Sequence, residues 1–277
     1  MLSQANDFGA QITGLDLSED LSQDVVDEIR CYWLKYQVLA FADQPLTHAQ
    51  LERFTRYFGK HGNDPYVKAI DGHQHILEVR REPNEQPAPF GTSWHSDWSF
   101  QQSPPSATIL HSKTIPPQGG NTHFADGFRA YDALDESFAK ELSCLIAIHS
   151  ARRSYSHESY ERGGGQARSM TILPSKSAWD TQEHPLIRTH PESGRKALWI
   201  NPVYTIAVKN LSEQASDRLL EKLFTHALDN AYIYKHQWSE NMLTMWDNRS
   251  VQHCAQGGYD GFRRVLHRTV VAGSIPA

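Results

Sequence analysis

The chain has 277 residues, of which 39% are hydrophobic and 21% charged, and its formal net charge is −5. This length and composition predict a folded protein with a sizeable core and exclude a disordered or fibrous chain. A duplex nucleic acid partner is not expected, because such a partner is held by many Lys and Arg side chains on its phosphates.

The cysteines and the apolar segments indicate the compartment. Cys31, Cys144 and Cys254 are odd in number and widely spaced, so they form neither a disulfide framework nor a paired zinc motif. The amino terminus lacks a basic start followed by an apolar run, and no stretch reaches the roughly 18 apolar residues of a membrane span. We therefore expect a cytoplasmic protein outside the membrane, folded as one domain over residues 1–277.

The first third of the chain predicts two helices and two strands. Apolar residues at helical spacing predict a helix over residues 22–36, which leads into a short buried strand at 38–41. Thr47 and Gln50 form the capping-box pattern of a second helix, which ends near Gly59. Residues 76–79 are strand-like. The proline-rich stretch 82–89 suits neither a helix nor a central strand, and it predicts a lid loop near residues 80–94.

The rest of the chain predicts mostly short strands. Residues 127–148 have a helical pattern, and 150–176, with three consecutive glycines, predicts a second long lid loop. An amphipathic helix is expected at 212–228, and strands are expected at 197–201, 232–238, 242–247 and 265–272. Many short strands with a few outer helices predict a mainly β fold with flanking α-helices, arranged as a double-sheet jelly roll around a small-molecule site.

The triplet His95-Ser96-Asp97 is the first candidate site. In a strand, side chains i and i+2 point to the same face, so this imidazole and carboxylate would reach one metal ion. A second imidazole would complete a facial triad that leaves adjacent metal positions open. In a chain with 15 histidines the triplet could instead be a surface or structural pair. The flanking Trp94 and Trp98 favour a buried setting, in which an unpaired carboxylate would be costly.

Two later segments supply the remaining candidates. A strand-like run ends in a polar turn that precedes His253, and on the following strand Arg264 and Arg268 share one face. Alternating charged and apolar residues also describe a solvated outer face, so the arginines alone leave both readings open. A hairpin that brings His253 to the same opening favours binding of an anion, with a dicarboxylate as the natural guest.

These segments, together with the motifs at 94–97, 116–122, 184–191, 194–198 and 246–249, resemble those of the taurine dioxygenase and 2,4-dichlorophenoxyacetate dioxygenase family over nearly the whole chain. The resemblance implies a double-stranded β-helix and an Fe(II)- and 2-oxoglutarate-dependent dioxygenase. Such an enzyme uses O2 to hydroxylate a small anionic substrate and releases succinate and CO2. It implies His95, Asp97 and His253 as iron ligands, with Thr122 and Arg264 on the distal carboxylate of 2-oxoglutarate. A homo-oligomer, either dimer or tetramer, is also expected.

The resemblance implies a substrate pocket whose residues depart from the taurine enzymes. Arg268 would face the acidic group of the substrate, and the other pocket positions are Asp64, Gly91, Trp98, Ser154, Tyr155 and Tyr204. Asp64 stands where taurine dioxygenases carry a sulfonate-binding histidine, and a carboxylate would repel a sulfonate. This favours loss of taurine specificity, unless His61 takes that role in a shifted loop. Trp98 replaces a small aliphatic residue and is expected to reshape the pocket.

Several other residues are assigned structural roles. His73 and His75 are expected to be a solvated pair rather than a metal site, Cys254 is expected to pack, and structural hydrogen bonds are expected from His184, His190 and His267. Two further functions stay open: a jelly-roll binding or sensor protein without turnover, and a zinc hydrolase with a nearby general base. The full ligand set and the arginine pair favour the dioxygenase.

Overall fold

Short strands form about half of the regular structure of the described residues. The computed structural model describes the backbone of residues 2–277 and the side chains of residues 6–277. Over this range the strands are β1 (Leu2–Ala5), β2 (Ala10–Ile12), β3 (Val38–Phe41), β4 (Leu77–Arg81), β5 (Ala107–Thr114), β6 (Thr122–Asp126), β7 (Ile146–Ser150), β8 (Thr181–Pro185), β9 (Ile187–Thr189), β10 (Lys196–Leu198), β11 (Thr205–Val208), β12 (Ile233–His236), β13 (Leu243–Asp247), β14 (Val251–Ala255) and β15 (Arg264–Val271).

The helices are few and short apart from three. Within the described residues they are α1 (Gln23–Tyr36), α2 (His48–Phe58), α3 (Gly127–Asp132), α4 (Glu136–Leu142), α5 (Arg152–Tyr155), α6 (His157–Arg162) and α7 (Glu213–Ala227). Short 3-10 turns lie at Gly165–Ala167, Lys176–Trp179 and Asn230–Tyr232. No helix within residues 2–277 has the length and apolar character needed to cross a bilayer.

The three long helices begin where the sequence predicts. The Ser22 side chain accepts from the Val25 backbone N–H at the start of α1, and Thr47 and Gln50 form the complete capping box of α2. Ser212 caps α7 in the same way. These side chains satisfy backbone N–H groups that have no partner inside the helix, so each helix start is encoded locally.

Two antiparallel sheets enclose the interior. The larger sheet has the strand order β1-β2-β3-β13-β5-β15-β4, and only its β2–β3 pair is parallel. A three-stranded sheet, β12-β6-β14, carries His253, whereas β15 with Arg264 and Arg268 belongs to the larger sheet. The expected hairpin between His253 and the arginines is therefore wrong. The two strands belong to different sheets whose buried side chains meet in one core.

Strand periodicity determines what each face of the larger sheet contacts. Leu39 and Phe41 of β3 pack with Trp33 of α1 and Phe54 of α2. Val38 and Ala40 point to the opposite face, where they join a core shared with Phe124 and Val251 of the three-stranded sheet. Alternate residues of β3 thus bury both faces of the larger sheet. The outer face packs against the helices, and the inner face packs against the three-stranded sheet. This arrangement agrees with the predicted double-sheet architecture.

The prediction of one helix over residues 127–148 is wrong. The segment forms two short helices, α3 and α4, followed by strand β7. Asp126 caps α3 by accepting from the backbone N–H groups of Phe128 and Arg129, and α4 starts anew after Asp135. Ile146 and Ile148 are β-branched, and β7 pairs with β8 on one side and β11 on the other.

The two segments expected to be lids contact each other. Residues 150–176 are not a plain loop, because they contain α5, α6 and a 3-10 turn. The Glu85 carboxylate accepts from the Ser169 hydroxyl at 2.6 Å, and Arg168 Nη1 donates to the Ala88 carbonyl at 2.8 Å. Lid motion and the one-domain assignment stay predictions.

Candidate active site

Backbone pairing brings His95 next to His253. The two residues form an isolated antiparallel bridge, with the His95 amide donating to the His253 carbonyl at 3.0 Å and the reverse bond at 2.8 Å. The expected strand through His95 and Asp97 is wrong, because the chain turns immediately after the bridge and Trp98 has a φ of +48°. The turn, rather than strand alternation, points Asp97 toward both histidines.

The three side chains offer a buried set of ligands. One nitrogen of His95, one of His253 and a carboxylate oxygen of Asp97 all lie within 4.8 Å of one another. His95 Nε2 is 3.6 Å from Asp97 Oδ1, and His253 Nε2 is 3.8 Å from Asp97 Oδ2. Two imidazoles and one carboxylate form the donor set of non-haem Fe(II) oxygenases, so the residues fit such an ion.

Neighbouring groups fix the orientation of two of these ligands. His95 Nδ1 lies 2.7 Å from the Ser93 carbonyl, so its proton belongs on Nδ1 and the lone pair of Nε2 is free to bind a metal. Asp97 Oδ2 accepts from the Thr108 hydroxyl at 2.6 Å, and Thr108 in turn accepts from Asn248 at 2.8 Å. Asp97 Oδ1 has no hydrogen-bond donor among the described residues. That oxygen is available for an ion.

Asp97 is held in its charged form. Burial raises the pKa of Asp97, but the Arg268 guanidinium, His253 and His95 outweigh it, and the pKa lies well below its usual range. Arg268 Nη2 is 3.1 Å from Asp97 Oδ1, although the geometry is that of an ion pair rather than of an aligned hydrogen bond. Burial, followed by His95, lowers the pKa of His253 well below normal, so its ring is neutral and suited to bind a metal.

A second buried arginine lies beside the triad. Arg264 and Thr122 line a cavity of about 40 Å³ together with Asp97 and His253. Arg264 Nη2 donates to the Gly120 carbonyl at 2.9 Å, and Thr122 Oγ1 accepts from Trp238 at 3.0 Å. Burial lowers the pKa of Arg264 to about 10, and within residues 6–277 no carboxylate pairs with it. A buried guanidinium without a counter-charge favours an anionic guest.

The motif at residues 246–249 stabilises the wall behind the triad. Arg249 holds Asp247 through Nε at 2.8 Å and Nη2 at 2.7 Å, and His190 Nε2 lies 3.0 Å from the same carboxylate. The Asn248 side chain connects Trp246 with Thr108. Asp247 is thus a structural anion, and the motif reaches the metal site through Asn248 and through Trp246, whose ring centre lies 4.6 Å from that of His253.

The histidines expected to be structural behave as predicted. Hydrogen bonds are confirmed for His184 with the Gln101 carbonyl at 2.9 Å, for His190 with Asp247, and for His267 with His48 at 3.2 Å. Cys254 is buried in β14. His73 and His75 are not a solvated pair: both are partly buried, His73 beside Glu52 and His75 stacked on His61 at 4.3 Å.

The expected substrate residues fall into two groups. Gly91, Ser154, Tyr155 and Tyr204 line a cavity of about 390 Å³ that also touches His95. Trp98, Asp64 and Arg268 do not line it. Trp98 is fully buried, with the Arg268 guanidinium 4.5 Å from its ring centre. Arg268 lines the cavity of about 40 Å³ at the triad instead, and contact of these three side chains with substrate stays a prediction.

Asp64 lies beside Arg268 rather than in the large cavity. Its Oδ1 accepts from the Tyr66 and Val67 amides, and its Oδ2 is buried without a donor. Burial raises the pKa of Asp64 to about 6 although Arg268 lowers it. Asp64 and Arg268 share a separate cavity of about 240 Å³. His61 lines neither cavity at the triad.

Several residues at the site were not predicted from the sequence. Ser93, Thr108 and Trp238 orient predicted ligands through hydrogen bonds, and Arg168 lines the large cavity. Asn248 lies in a motif that the sequence does indicate, but its contact with Thr108 crosses 140 positions of sequence separation. Nothing local in the sequence signals such contacts.

Comparison with known proteins identifies the family. The model of the taurine catabolism dioxygenase TauD, TfdA family matches residues 2–270. The chain belongs to this family. The alpha-ketoglutarate-dependent 2,4-dichlorophenoxyacetate dioxygenase of Cupriavidus pinatubonensis is 33% identical, over 94% of this chain and 93% of that protein. The alkylsulfatase of Acinetobacter baylyi is 31% identical, over 97% of this chain and 83% of that protein.

Solved structures agree with this family assignment. A crystal structure of a taurine dioxygenase from Burkholderia xenovorans matches with a TM-score of 0.82 and 28% identity, covering 100% of this chain and 90% of that chain. The jelly-roll prediction is confirmed, and the chain is a 2-oxoglutarate-dependent dioxygenase that acts on a small molecule.

Proposed function

We propose that His95, Asp97 and His253 hold Fe(II) and that the enzyme hydroxylates a small anionic organic substrate, with 2-oxoglutarate and O2 consumed and succinate and CO2 released. The observation that carries this proposal is the buried triad with ligand atoms within 4.8 Å and an oxygen of Asp97 left without a donor. When bound, the ion would activate O2 with 2-oxoglutarate for attack on a substrate C–H bond.

The residues of the chain would bind, orient and shield the reactants. Ser93 keeps the proton of His95 on Nδ1, and Thr108 fixes one oxygen of Asp97. We propose that Arg264 and Thr122 take the distal carboxylate of 2-oxoglutarate, the guanidinium through charge and the hydroxyl through a hydrogen bond. Trp246 and Leu110 line the same cavity and exclude water from it.

The activities of the named relatives support an anionic substrate for this enzyme, but they do not identify which anion it is. Their printed activities concern 2,4-dichlorophenoxyacetate, alkyl sulfates and taurine, which are a carboxylate, sulfate esters and a sulfonate. We propose that the substrate occupies the cavity of about 390 Å³, with Tyr155, Tyr204, Ser154 and Gly91 as walls. A cavity of this size suits a molecule larger than taurine.

The metal and cosubstrate proposals are tested together. Anaerobic Fe(II) with 2-oxoglutarate should give a weak visible charge-transfer band, and replacement of His253 by Ala should remove both the band and succinate formation. The exposed His157 provides a matched control, because His157→Ala should leave both unchanged. A His253→Ala protein that still produces succinate at the wild-type rate would exclude His253 from the ligand set.

We further propose a cytoplasmic homo-oligomer, either a dimer or a tetramer, without a nucleic acid partner. Three free cysteines suit a reducing compartment, and the net charge of −5 disfavours phosphate backbones. Light scattering of the purified protein will give the oligomeric state, and a monomer at micromolar concentration would contradict the oligomer proposal.

A further inference from the structure

Two segments form a roof over the large cavity beside the triad. The first roof segment is residues 82–91, which follow β4, and the second roof segment is residues 163–170, which follow α6. The members of both segments that line the cavity of about 390 Å³ are Ala88, Pro89, Phe90, Gly91, Gly163, Gly165 and Arg168. A molecule in this cavity is therefore covered by two parts of the chain that are far apart in sequence.

One buried carboxylate joins the two roof segments. The side chain of Glu85, in the first segment, is 3% exposed. Its Oε2 accepts from the Ser169 hydroxyl at 2.6 Å and from the Ser169 amide at 3.0 Å. A third hydrogen bond between the segments runs from Arg168 Nη1 to the Ala88 carbonyl at 2.8 Å. Burial of a carboxylate is costly without such donors, so the two bonds from Ser169 hold the segments together.

Contacts with the sheets anchor each roof segment separately. Gly91, at the end of the first segment, accepts from the Ala255 amide of β14 at 2.8 Å. Arg80 of β4 donates to the Ser169 carbonyl of the second segment at 2.9 Å. Neither contact involves the Glu85 carboxylate. Loss of that carboxylate should therefore part the two segments between their anchors without detaching them from the sheets.

The smaller cavity, beside Arg264, opens toward the roof. Apart from the triad, its lining residues lie on strands, with the exception of Phe90 and Gly91 of the first segment. Phe90, Gly91 and His95 also line the large cavity, so the two cavities meet at these residues. Paired strands form rigid walls, whereas connecting segments open at a lower free-energy cost. The way to Arg264 therefore passes the roof at Phe90.

We propose that Glu85 is a positioning residue whose two hydrogen bonds from Ser169 form a latch on the roof, and that opening of this latch sets the rate at which 2-oxoglutarate enters and leaves. The inference rests on the proposed function, which assigns the cosubstrate to the cavity beside Arg264. Glu85 lines neither cavity, so it acts without touching a reactant. Loss of the latch raises the open fraction of the roof, so the association and dissociation rate constants rise by the same factor and Kd is unchanged.

Stopped-flow mixing of the anaerobic Fe(II) protein with 2-oxoglutarate tests the proposal. The visible band reports binding, and the observed rate against 2-oxoglutarate concentration gives the association rate constant as its slope and the dissociation rate constant as its intercept. In Glu85→Ala we expect both constants to rise by about tenfold to a hundredfold, because hydrogen bonds to a charged group no longer oppose opening. Kd should change less than about threefold, since Arg264 and Thr122 are untouched.

Hydrogen exchange of the full metal-free chain gives a readout that does not depend on iron. Amides of both roof segments should exchange faster in Glu85→Ala, while those of α7 stay unchanged. Ser169→Ala should show part of the effect, and adding it to Glu85→Ala should give no further increase, because both act through one contact. Glu85→Gln keeps an oxygen that accepts from Ser169 and should restore most of the protection. Glu161→Ala removes an exposed carboxylate just before the second segment and should change nothing.

The possible outcomes separate the latch from the proposed function. Wild-type rate constants in both Glu85→Ala and Ser169→Ala overturn the proposal. A raised Kd at an unchanged association rate constant also overturns it, because Glu85 would then act on the binding site rather than on the roof. Multiplied effects in the double variant show two independent contacts and likewise contradict the latch. Absence of the visible band in wild type contradicts the proposed function instead.

Discussion

Two arginines on one face of β15 have opposite surroundings. Arg264 is buried beside Thr122 with no carboxylate partner among the described side chains, whereas Arg268, four residues further along, contacts Asp97 at 3.1 Å and interacts with Asp64. Both arginines belong to the same strand, β15. Both arginines line the cavity at the triad, so the neighbouring carboxylates are what distinguishes them.

The two ends of the site therefore differ in how the charge of the arginine is balanced. At the Arg264 end the protein leaves a positive charge unbalanced, and a dicarboxylate would balance it. At the Arg268 end the protein balances the charge itself, and Trp98 covers the guanidinium. Strand periodicity does not distinguish the two, because both are arginines on the same face of one strand, and only the family resemblance gives them different roles.

Arg268→Gln is the variant expected to have the largest effect, and the effect is on stability. It leaves Asp97 and Asp64 buried without their common counter-charge, so the metal-free protein should lose about 3–5 kcal/mol of unfolding free energy in urea. Arg263→Gln, at a half-exposed neighbour paired with Glu82, should cost about 0.5 kcal/mol or less. If the two variants lose the same unfolding free energy, Arg268 is not a structural counter-charge, and the difference between Arg264 and Arg268 described above is wrong.

Arg264→Gln should instead weaken the cosubstrate. We expect its Kd for 2-oxoglutarate, followed by the anaerobic visible band, to rise by about thirtyfold to a hundredfold, because hydrogen bonds from a charged donor are lost. The unfolding free energy of the metal-free protein should change far less than in Arg268→Gln, since no buried carboxylate loses its partner. Unchanged binding of 2-oxoglutarate would remove Arg264 from the proposed site.

The sequence predicts ligand identity well but ligand geometry poorly. His95, Asp97 and His253 are identified by residue type and by likeness to a family, and the structure places them together. The expected strand through Asp97 fails, because the turn at Trp98 depends on a backbone bridge between residues 158 positions apart in sequence. Helix starts such as Thr47 are predicted correctly, since their hydrogen bonds span three residues.

Residues of the cavity wall were the hardest to predict. Arg168 reaches the cavity through contacts with Ala88 and Glu85, about 80 positions earlier in the chain, and no periodic pattern marks such a contact. The helical pattern at 127–148 likewise gives no sign that β8 and β11 flank its last residues as strands. Tertiary pairing overrides local propensity in these places.

The pH dependence of stability sharpens the role of Asp64. Its pKa is about 6 in the folded protein against 3.8 ordinarily, so the folded state binds the proton more tightly than the unfolded chain. Stability should therefore fall as pH rises from about 4 to about 6, with the loss complete above that window. Asp64→Asn keeps an acceptor for the Tyr66 and Val67 amides, and it should remove a pH-dependent loss of about 3 kcal/mol. The check is urea unfolding of both proteins at pH 4, 5, 6 and 7. Parallel curves for the two would show that Asp64 does not titrate in this window.

Thr108→Val tests the other oxygen of Asp97 and should have the smallest effect. The valine keeps the shape of the side chain but removes the hydroxyl that donates to Asp97 Oδ2, and the Asn248 amide loses its acceptor. We expect metal affinity, measured by competition with a chromogenic chelator, to fall about tenfold. This is the low end of the effect of losing a hydrogen-bond partner of a metal ligand, because Arg268 still holds Asp97. Thr181→Val, at an exposed site in β8, should leave metal affinity unchanged. If Thr108→Val binds metal as tightly as wild type, the orientation of Asp97 rests on Arg268 alone. Arg268 would then be the main structural contact of Asp97, and the difference between Arg268 and Arg264 would be larger than the two contacts of Asp97 suggest.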